Sequence, residues 1–465
     1  MSEAVEQSQP ILFDRKKLLK LIIPVVIEQS LSVTVGMADS IMVSAAGEEA
    51  ISGIGLVNQI NVLLVMLFAA LASGGSVVVA QFLGNNDKKK ACVGAEQQLL
   101  ACLVSSIALM IFALTCNKWI LKMVFGSVSE GVMNNAITYF GIIAISFPFL
   151  AVYNAGAALF RVMNNAHISM ILSLIMNAIN IVLNYILIYQ FHMGVSGVAY
   201  ATLISRIAVA IVLVVKIRDQ KLPVHVDKYY RLKFNGAMMK NVLRIGIPQA
   251  LENSMFQVGK LCTQHLISTF GTAAIAANTT AATIELLADI PGSAMGMALV
   301  TIVGQCAGAG QYSQARTYTK KLLKYTYGFL IALNLVIIAI SGLIPTWYNL
   351  SEEGTHYAIQ LIVYHSCCCM AIWPLAFSIA SVLRSAGDAR YTMTVSICSM
   401  WIFRIGCAYL IGGNIHGFGL NLGVLGVWIA MTIDWAVRAC FNIARFSGHK
   451  WETKSVTRGK KVVAA

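Results

Sequence analysis

The sequence predicts an all-α integral membrane protein: twelve transmembrane helices in two pseudo-symmetric six-helix bundles that repeat in parallel. Three observations predict it. Only 12% of the 465 residues are charged and 58% are hydrophobic, with a mean hydropathy of +0.73. A soluble domain carries about 25% charged residues, so this chain cannot solvate the several soluble domains its length would suggest. The apolar residues fall into runs of the ~20 residues needed to cross a bilayer. Finally, the chain matches itself at an offset of 224 residues.

The twelve runs lie near 18–42, 55–81, 94–116, 136–158, 167–190, 195–216, 242–268, 276–305, 318–343, 357–382, 391–412 and 423–446. The first contains Pro24, lacks a small-residue cleavage pattern and exceeds a signal-peptide core, so it is read as a retained helix. The runs are continuous rather than alternating, which excludes barrel strands.

Basic residues set the orientation. Of 34 lysines and arginines, 28 lie in the termini and even-side loops, two (Lys118 and Lys122) lie opposite, and four (Arg206, Lys260, Arg404 and Arg438) fall within or at the ends of runs. This asymmetry places both termini in the cytoplasm, in a cell membrane crossed many times. The formal charge of +14 is then topological and faces anionic lipid. Its short clusters between apolar runs give no continuous surface for nucleic acid, so no nucleic-acid partner is expected. The domain plan is a cytoplasmic tail (1–17), an N-terminal lobe (18–216), a cytoplasmic linker (217–241), a C-terminal lobe (242–446) and a basic cytoplasmic tail (447–465).

The repeat supports that plan. Pro24, Glu28 and Ser30 match Pro248, Glu252 and Ser254 at 224; Gly47, Gln81, Gly84 and Tyr185 match Gly271, Gln305, Gly308 and Tyr409 at the same offset. Gly194 and Gly197 match Gly423 and Gly426 at 229. Six spans per repeat is even, so both halves enter the membrane in the same sense. Two such lobes rocking about a central cavity give alternating access, which is transporter architecture.

Ionisable groups within the runs then mark candidate sites. Glu28, Asp39, Glu252, Glu285, Asp289, Asp434 and the four basic residues above cost ~3 kcal/mol each at a helix centre unless paired, hydrated or used on ions. Asp39 is the leading candidate. Asn177, Asn180 and Asn184 lie on span 5, with Asn180 and Asn184 at i, i+4 on one face, and Thr202 lies on span 6. Carboxylate, amide and hydroxyl oxygens suit a hard cation such as Na+, and a desolvated carboxylate equally suits H+. The same amides could instead bond helix to helix.

In the second half, Glu252, Glu285 and Asp289 would attract a cationic substrate, and Met255 could pack against a greasy one. Asp434, Arg438 and Arg404 are candidates for a structural ion pair. Cys367-Cys368-Cys369 points around a helix and cannot converge on one metal, while the histidines show no ligand spacing. No phosphate-cradling motif follows Gly84 or Gly308, so neither ATP-binding subunit nor enzyme activity is expected.

Gly36-Met-Ala-Asp39-Ser-Ile-Met42, Gln81-Phe-Leu-Gly84, Asn180-Ile-Val-Leu-Asn184 and Leu383-Arg-Ser-Ala-Gly387-Asp388 resemble the multidrug and toxic compound extrusion (MATE) transporters, bacterial-type, across essentially the whole chain. The resemblance implies a cation-coupled antiporter that exports amphipathic, often cationic, organic compounds against inward Na+ or H+. Asp39, Asn180, Asn184 and Thr202 would form the coupling site, with Asp39 as the Na+ ligand if sodium is the coupling ion. No cofactor beyond the transported Na+ or H+ is implied, and a monomer is expected. Some members carry an acid at the position of Asn184, a glutamate at that of Phe256 and an aspartate near Trp373; here Glu252, Glu285 and Asp289 stand as substitutes. A flippase for lipid-linked precursors remains the alternative.

Overall fold

With no water in hydrocarbon to satisfy its amides, an apolar chain must bond its backbone internally. The structure, a computed structural model, does so with helices and shows no strand among the described residues, which are 12–44, 47–126, 128–226, 233–348, 350–413 and 419–457. Side chains at 35, 37–41, 43–44 and 48 also lie outside the description. The first half forms α1 (Arg15–Ser44), α2 (Glu48–Gly84), α3 (Lys88–Phe125), α4 (Glu130–Ile145), α5 (Phe147–Val162), α6 (Ala166–Tyr185) and α7 (Gly194–Ile217). The second forms α8 (Gly236–Ser268), α9 (Thr272–Ala288), α10 (Ile290–Gly308), α11 (Tyr312–Ile340), the short α12 (Ile344–Trp347), α13 (Glu352–Trp373), α14 (Ile379–Ser385), α15 (Ala389–Ser399) and α16 (Gly423–Ser447).

Each of the twelve apolar runs is helical, and several are interrupted for a local reason. The fourth bends by 48° between α4 and α5, where Pro148 removes an amide donor and crowds the preceding turn. Ser146, at that break, donates to the Ile143 carbonyl at 2.6 Å. The eighth breaks between α9 and α10, with Pro291 in the first turn of α10. Wide π turns follow α6 (Ile186–Gln190), join α13 to α14 (Pro374–Ser378) and extend α15 (Met400–Gly406, Ala408–Gly412). Nine helices among the described residues are long and apolar enough to span a membrane, or ten with the bent pair. The first and seventh runs are not among them. Both carry the Pro-x-x-x-Glu motif, at Pro24/Glu28 and Pro248/Glu252, and side chains of the first lie partly outside the described residues.

The backbone repeats as the sequence does. Gly47 and Gly271, 224 apart, precede α2 and α9 with φ of 97° and 96°. The left-handed residues Asn86 and Gly310 recur at 224, Asn164 and Gly387 at 223, and both His192/Asn421 and Gly194/Gly423 at 229. Such conformations strain most L-residues, so recurrence at five places marks one ancestral path drawn twice.

Two compact units result: Arg15–Ala250, and Leu251–Ala465 with the segment ending at Asp14. The division falls inside α8, whereas the sequence plan drew the lobe boundary in the 217–241 linker. The helix is continuous through that point, so no chain break marks it. Phe13 belongs to the second unit by contact: its amide donates to Tyr318 Oη at 3.1 Å, and that hydroxyl donates to the Phe13 carbonyl at 2.9 Å. The basic tail after residue 447 is also partly folded. Trp451 is fully buried and stacks on Phe446 at 5.5 Å, while Arg316 pairs with Glu452 at 2.7 Å. Gly387 admits this tail, since a Cβ there would stand 2.5 Å from the Lys454 carbonyl oxygen.

Within the first unit, α2 and the start of α8 cross at Gly74 and Gly246, where a Cβ on Gly74 would lie 2.4 Å from the Gly246 Cα. Backbone cannot yield as a side chain does. Gly74→Ala is expected to cost about 1–3 kcal/mol by overpacking, read as a lower Tm in detergent; an unchanged Tm would contradict this crossing.

Candidate functional site

The first unit gathers three of the four residues expected for cation coupling. Asn184 Nδ2 donates to Asn180 Oδ1 at 3.2 Å, and Asn180 Nδ2 donates to Thr202 Oγ1 at 3.2 Å. The Thr202 hydroxyl donates to the Val198 carbonyl at 3.0 Å. Asn180 and Asn184 are buried, and the i, i+4 spacing on α6 sets them one above the other while α7 brings Thr202 alongside. Asp39 lies on α1, which packs along α6, but its side chain is outside the described residues. Asn177, one turn before Asn180, is half-buried and does not join the chain of hydrogen bonds.

This oxygen set does not recur in the second half. At the repeat offset of 224, Asp39, Asn180 and Asn184 correspond to Thr263, Arg404 and Ala408, and at 229 Thr202 corresponds to Met431. One hydroxyl, one cation and two apolar groups replace the carboxylate, the two amides and the hydroxyl.

What does recur is a part-buried clasp. Glu28 on α1 accepts from Arg161 Nη1 at 3.0 Å and from Ser169 Oγ at 2.8 Å. Glu252 on α8 accepts from Arg384 Nη1 at 3.0 and 3.2 Å and from Ser396 Oγ at 2.8 Å. The partners sit at offsets of 224, 223 and 227, so each half closes its first helix onto its fourth and fifth spans with one carboxylate, one guanidinium and one hydroxyl. Glu252, expected to face a cationic substrate, is therefore engaged within its own unit.

The second unit has its own polar cluster. Asp434 and Arg438 pair at 2.8 Å, Ser399 Oγ donates to the same carboxylate oxygen at 2.6 Å, and Arg438 Nη2 donates to the Ser396 carbonyl at 3.2 Å. Ser396 thus joins this pair to the clasp. Arg404, expected to share the pair, forms no ion pair among the described residues. It lies 5.1 Å from the centroid of Phe256, whose ring also meets Arg438 at 5.7 Å and the Lys260 ammonium at 5.3 Å. Three cations lie around one ring, within reach of its quadrupole. Met255, beside Phe256 on α8, is half-buried.

Glu285 and Asp289 are one turn apart but have different surroundings. Glu285 is 4.0 Å from the Lys260 ammonium. Asp289 stands at the break between α9 and α10, accepts from Trp373 Nε1 at 3.0 Å and from Cys369 Sγ at 3.4 Å, and lies 3.8 Å from His365 Nε2. Sequence reading missed His365 and Cys369. They are at i, i+4 on α13, a spacing that was visible, yet their third partner is 80 residues from Cys369 and only the fold unites them.

Two six-span halves on one plan, each clasped alike and each holding a different polar cluster within hydrocarbon, define a multi-span membrane transporter built by duplication. The chain belongs to the MatE family: that family's model matches it twice, over residues 24–186 and 248–410, again 224 apart. It is similar to the "Uncharacterized transporter YisQ" of Bacillus subtilis, with 26% identity over 94% of this chain and 95% of the relative. It is likewise similar to the "Probable multidrug resistance protein NorM" of Thermotoga maritima, with 26% identity over 96% and 95%. Its fold matches an outward-facing multidrug resistance MATE family transporter of the MOP superfamily, with TM-score 0.83 and 22% identity over 94% of this chain and 96% of that one. A MOP superfamily transporter from Pyrococcus furiosus matches with TM-score 0.83 and 22% identity over 93% and 96%.

Removing one member of a buried ion pair costs more than removing both. Arg384→Ala is expected to lose about 3–5 kcal/mol, read as a fall in detergent Tm, and Glu252→Gln with Arg384→Gln is expected to recover most of it. A double variant less stable than Arg384→Ala would show that the clasp does not set this cost.

Proposed function

We propose that the protein is a cation-coupled antiporter, driven by Na+ or H+, that exports amphipathic or cationic organic compounds by alternating access of its two lobes. The observation that carries this reading is the Asn184–Asn180–Thr202 hydrogen-bond chain, whose two asparagines lie on α6, the helix that packs along the one bearing Asp39. Amide and hydroxyl groups in that chain supply hard oxygen donors, and Asp39 is the remaining acid in the sequence of α1 once Glu28 is taken by its clasp. A cation bound there neutralises Asp39, and its release leaves a charge whose cost favours a different arrangement of the helices.

The organic cargo is inferred from the relatives whose names concern multidrug resistance and from the acids of the second unit. Of these, Glu252 is held by Arg384 and Asp289 by Trp373 and Cys369. Glu285, whose contact with the Lys260 ammonium is longer at 4.0 Å, is retained for a cationic substrate, with Met255 as an adaptable apolar contact. The relatives' names that concern multidrug resistance favour this cargo over the lipid-linked precursor of the flippase alternative. The 28-to-two distribution of basic residues supports a cytoplasmic membrane location with both termini inside.

Everted membrane vesicles loaded by an imposed Na+ or H+ gradient test the coupling. Gradient-driven transport of a cationic dye is expected in the parent protein and lost in Asp39→Asn, with unchanged protein yield and Tm. Undiminished transport by Asp39→Asn overturns the assignment.

A further inference from the structure

We propose that Asp289, His365 and Cys369 form a binding site for a zinc-class divalent cation inside the second unit. Their ligand atoms all lie within 4.8 Å of one another. Asp289 Oδ1 is 3.4 Å from Cys369 Sγ and 3.8 Å from His365 Nε2. A tetrahedral zinc ion, with bonds near 2.3 Å to sulfur and 2.0–2.1 Å to nitrogen or oxygen, sets such atoms about 3.3–3.5 Å apart. Small side-chain rotations close the difference.

The surroundings are arranged as a metal shell would be. His365 is 2% exposed, and neither of its ring nitrogens has a hydrogen-bond partner among the described residues. A buried imidazole without partners is costly, and a metal ion would satisfy it. The ring is held edge-on by Trp428 and Trp435, with centroids 5.6 and 5.5 Å away. Trp373 Nε1 occupies Asp289 Oδ2 at 3.0 Å, which leaves Oδ1 turned toward the other two ligands. Asn334 Nδ2 approaches Cys369 Sγ at 3.9 Å, a donor placed to stabilise sulfur once the metal replaces the thiol proton. Outer partners of this kind orient ligands and tune affinity.

Charge and softness select the ion. A carboxylate and a thiolate contribute two negative charges, and one divalent cation makes the cluster neutral, which a buried site favours. Thiolate and imidazole suit zinc, cobalt or cadmium and are poor ligands for sodium. The site therefore differs in kind from the oxygen set of the first unit and does not depend on the coupling role proposed there. Three protein ligands leave one position open. Because Asp289 marks the break between α9 and α10, a bound ion would tie that break to α13.

Purified full-length protein in detergent, titrated with Co2+ and back-titrated with Zn2+, tests the proposal. One saturable site per chain is expected, with a thiolate-to-cobalt charge-transfer band that Zn2+ abolishes. Cys369→Ser should remove the band, and His365→Gln should weaken Zn2+ binding at least ~tenfold. Cys367→Ser, on the same helix and exposed, should leave both unchanged. If Cys369→Ser does not accumulate as folded protein, His365→Gln gives the same reading. Absence of a saturable site in the parent chain, or full-affinity binding in His365→Gln, overturns it.

Discussion

A carboxylate in hydrocarbon must find a partner, and the clasp of Glu28 with Arg161 and Ser169, repeated as Glu252 with Arg384 and Ser396, is how this chain meets that demand at the head of each half. Each carboxylate lies on the first span of its half, four residues after the proline of a Pro-x-x-x-Glu motif. Each clasp joins a first helix to the fourth and fifth spans of its own half. Each unit is tied across three of its spans by one such contact. The left-handed residues that recur at matching offsets show that the frame, turns included, was copied whole.

Against that shared frame the two halves have diverged in chemistry. One keeps a buried ladder of amide and hydroxyl groups next to the helix of Asp39. In the other, the corresponding places hold Thr263, Arg404, Ala408 and Met431, and the polar side chains gather instead on α8, α9, α13 and α16. There Phe256 gathers three cations, Asp434 holds Arg438, and Asp289 faces His365 and Cys369. Duplication supplied two matching scaffolds, and the polar side chains built on them differ from one half to the other.

Much of this was legible in the sequence, because the bilayer imposes simple rules on a chain. Apolar runs of bilayer length became helices, and the 224-residue offset became a repeated backbone. The i, i+4 spacing of Asn180 and Asn184 became a hydrogen bond, as did that of Asp434 and Arg438 through their ion pair. What the sequence could not show was pairing between distant residues. Glu252 reads as an unpaired acid until the fold brings Arg384 to it from 132 residues away. Asp289 likewise gains His365, Cys369 and Trp373 only when α13 packs against the break before α10. The folded tail was also hidden, since Trp451 among basic residues looks like a solvated terminus until Arg316 and Phe446 are seen around it.

The most direct test of this account is transport in proteoliposomes with a Na+ gradient and a H+ gradient imposed separately while the membrane potential is clamped at zero. The account predicts that one of the two gradients alone drives movement of a cationic dye against its concentration, and that reversing that gradient reverses the movement. Dye movement indifferent to both gradients would contradict it.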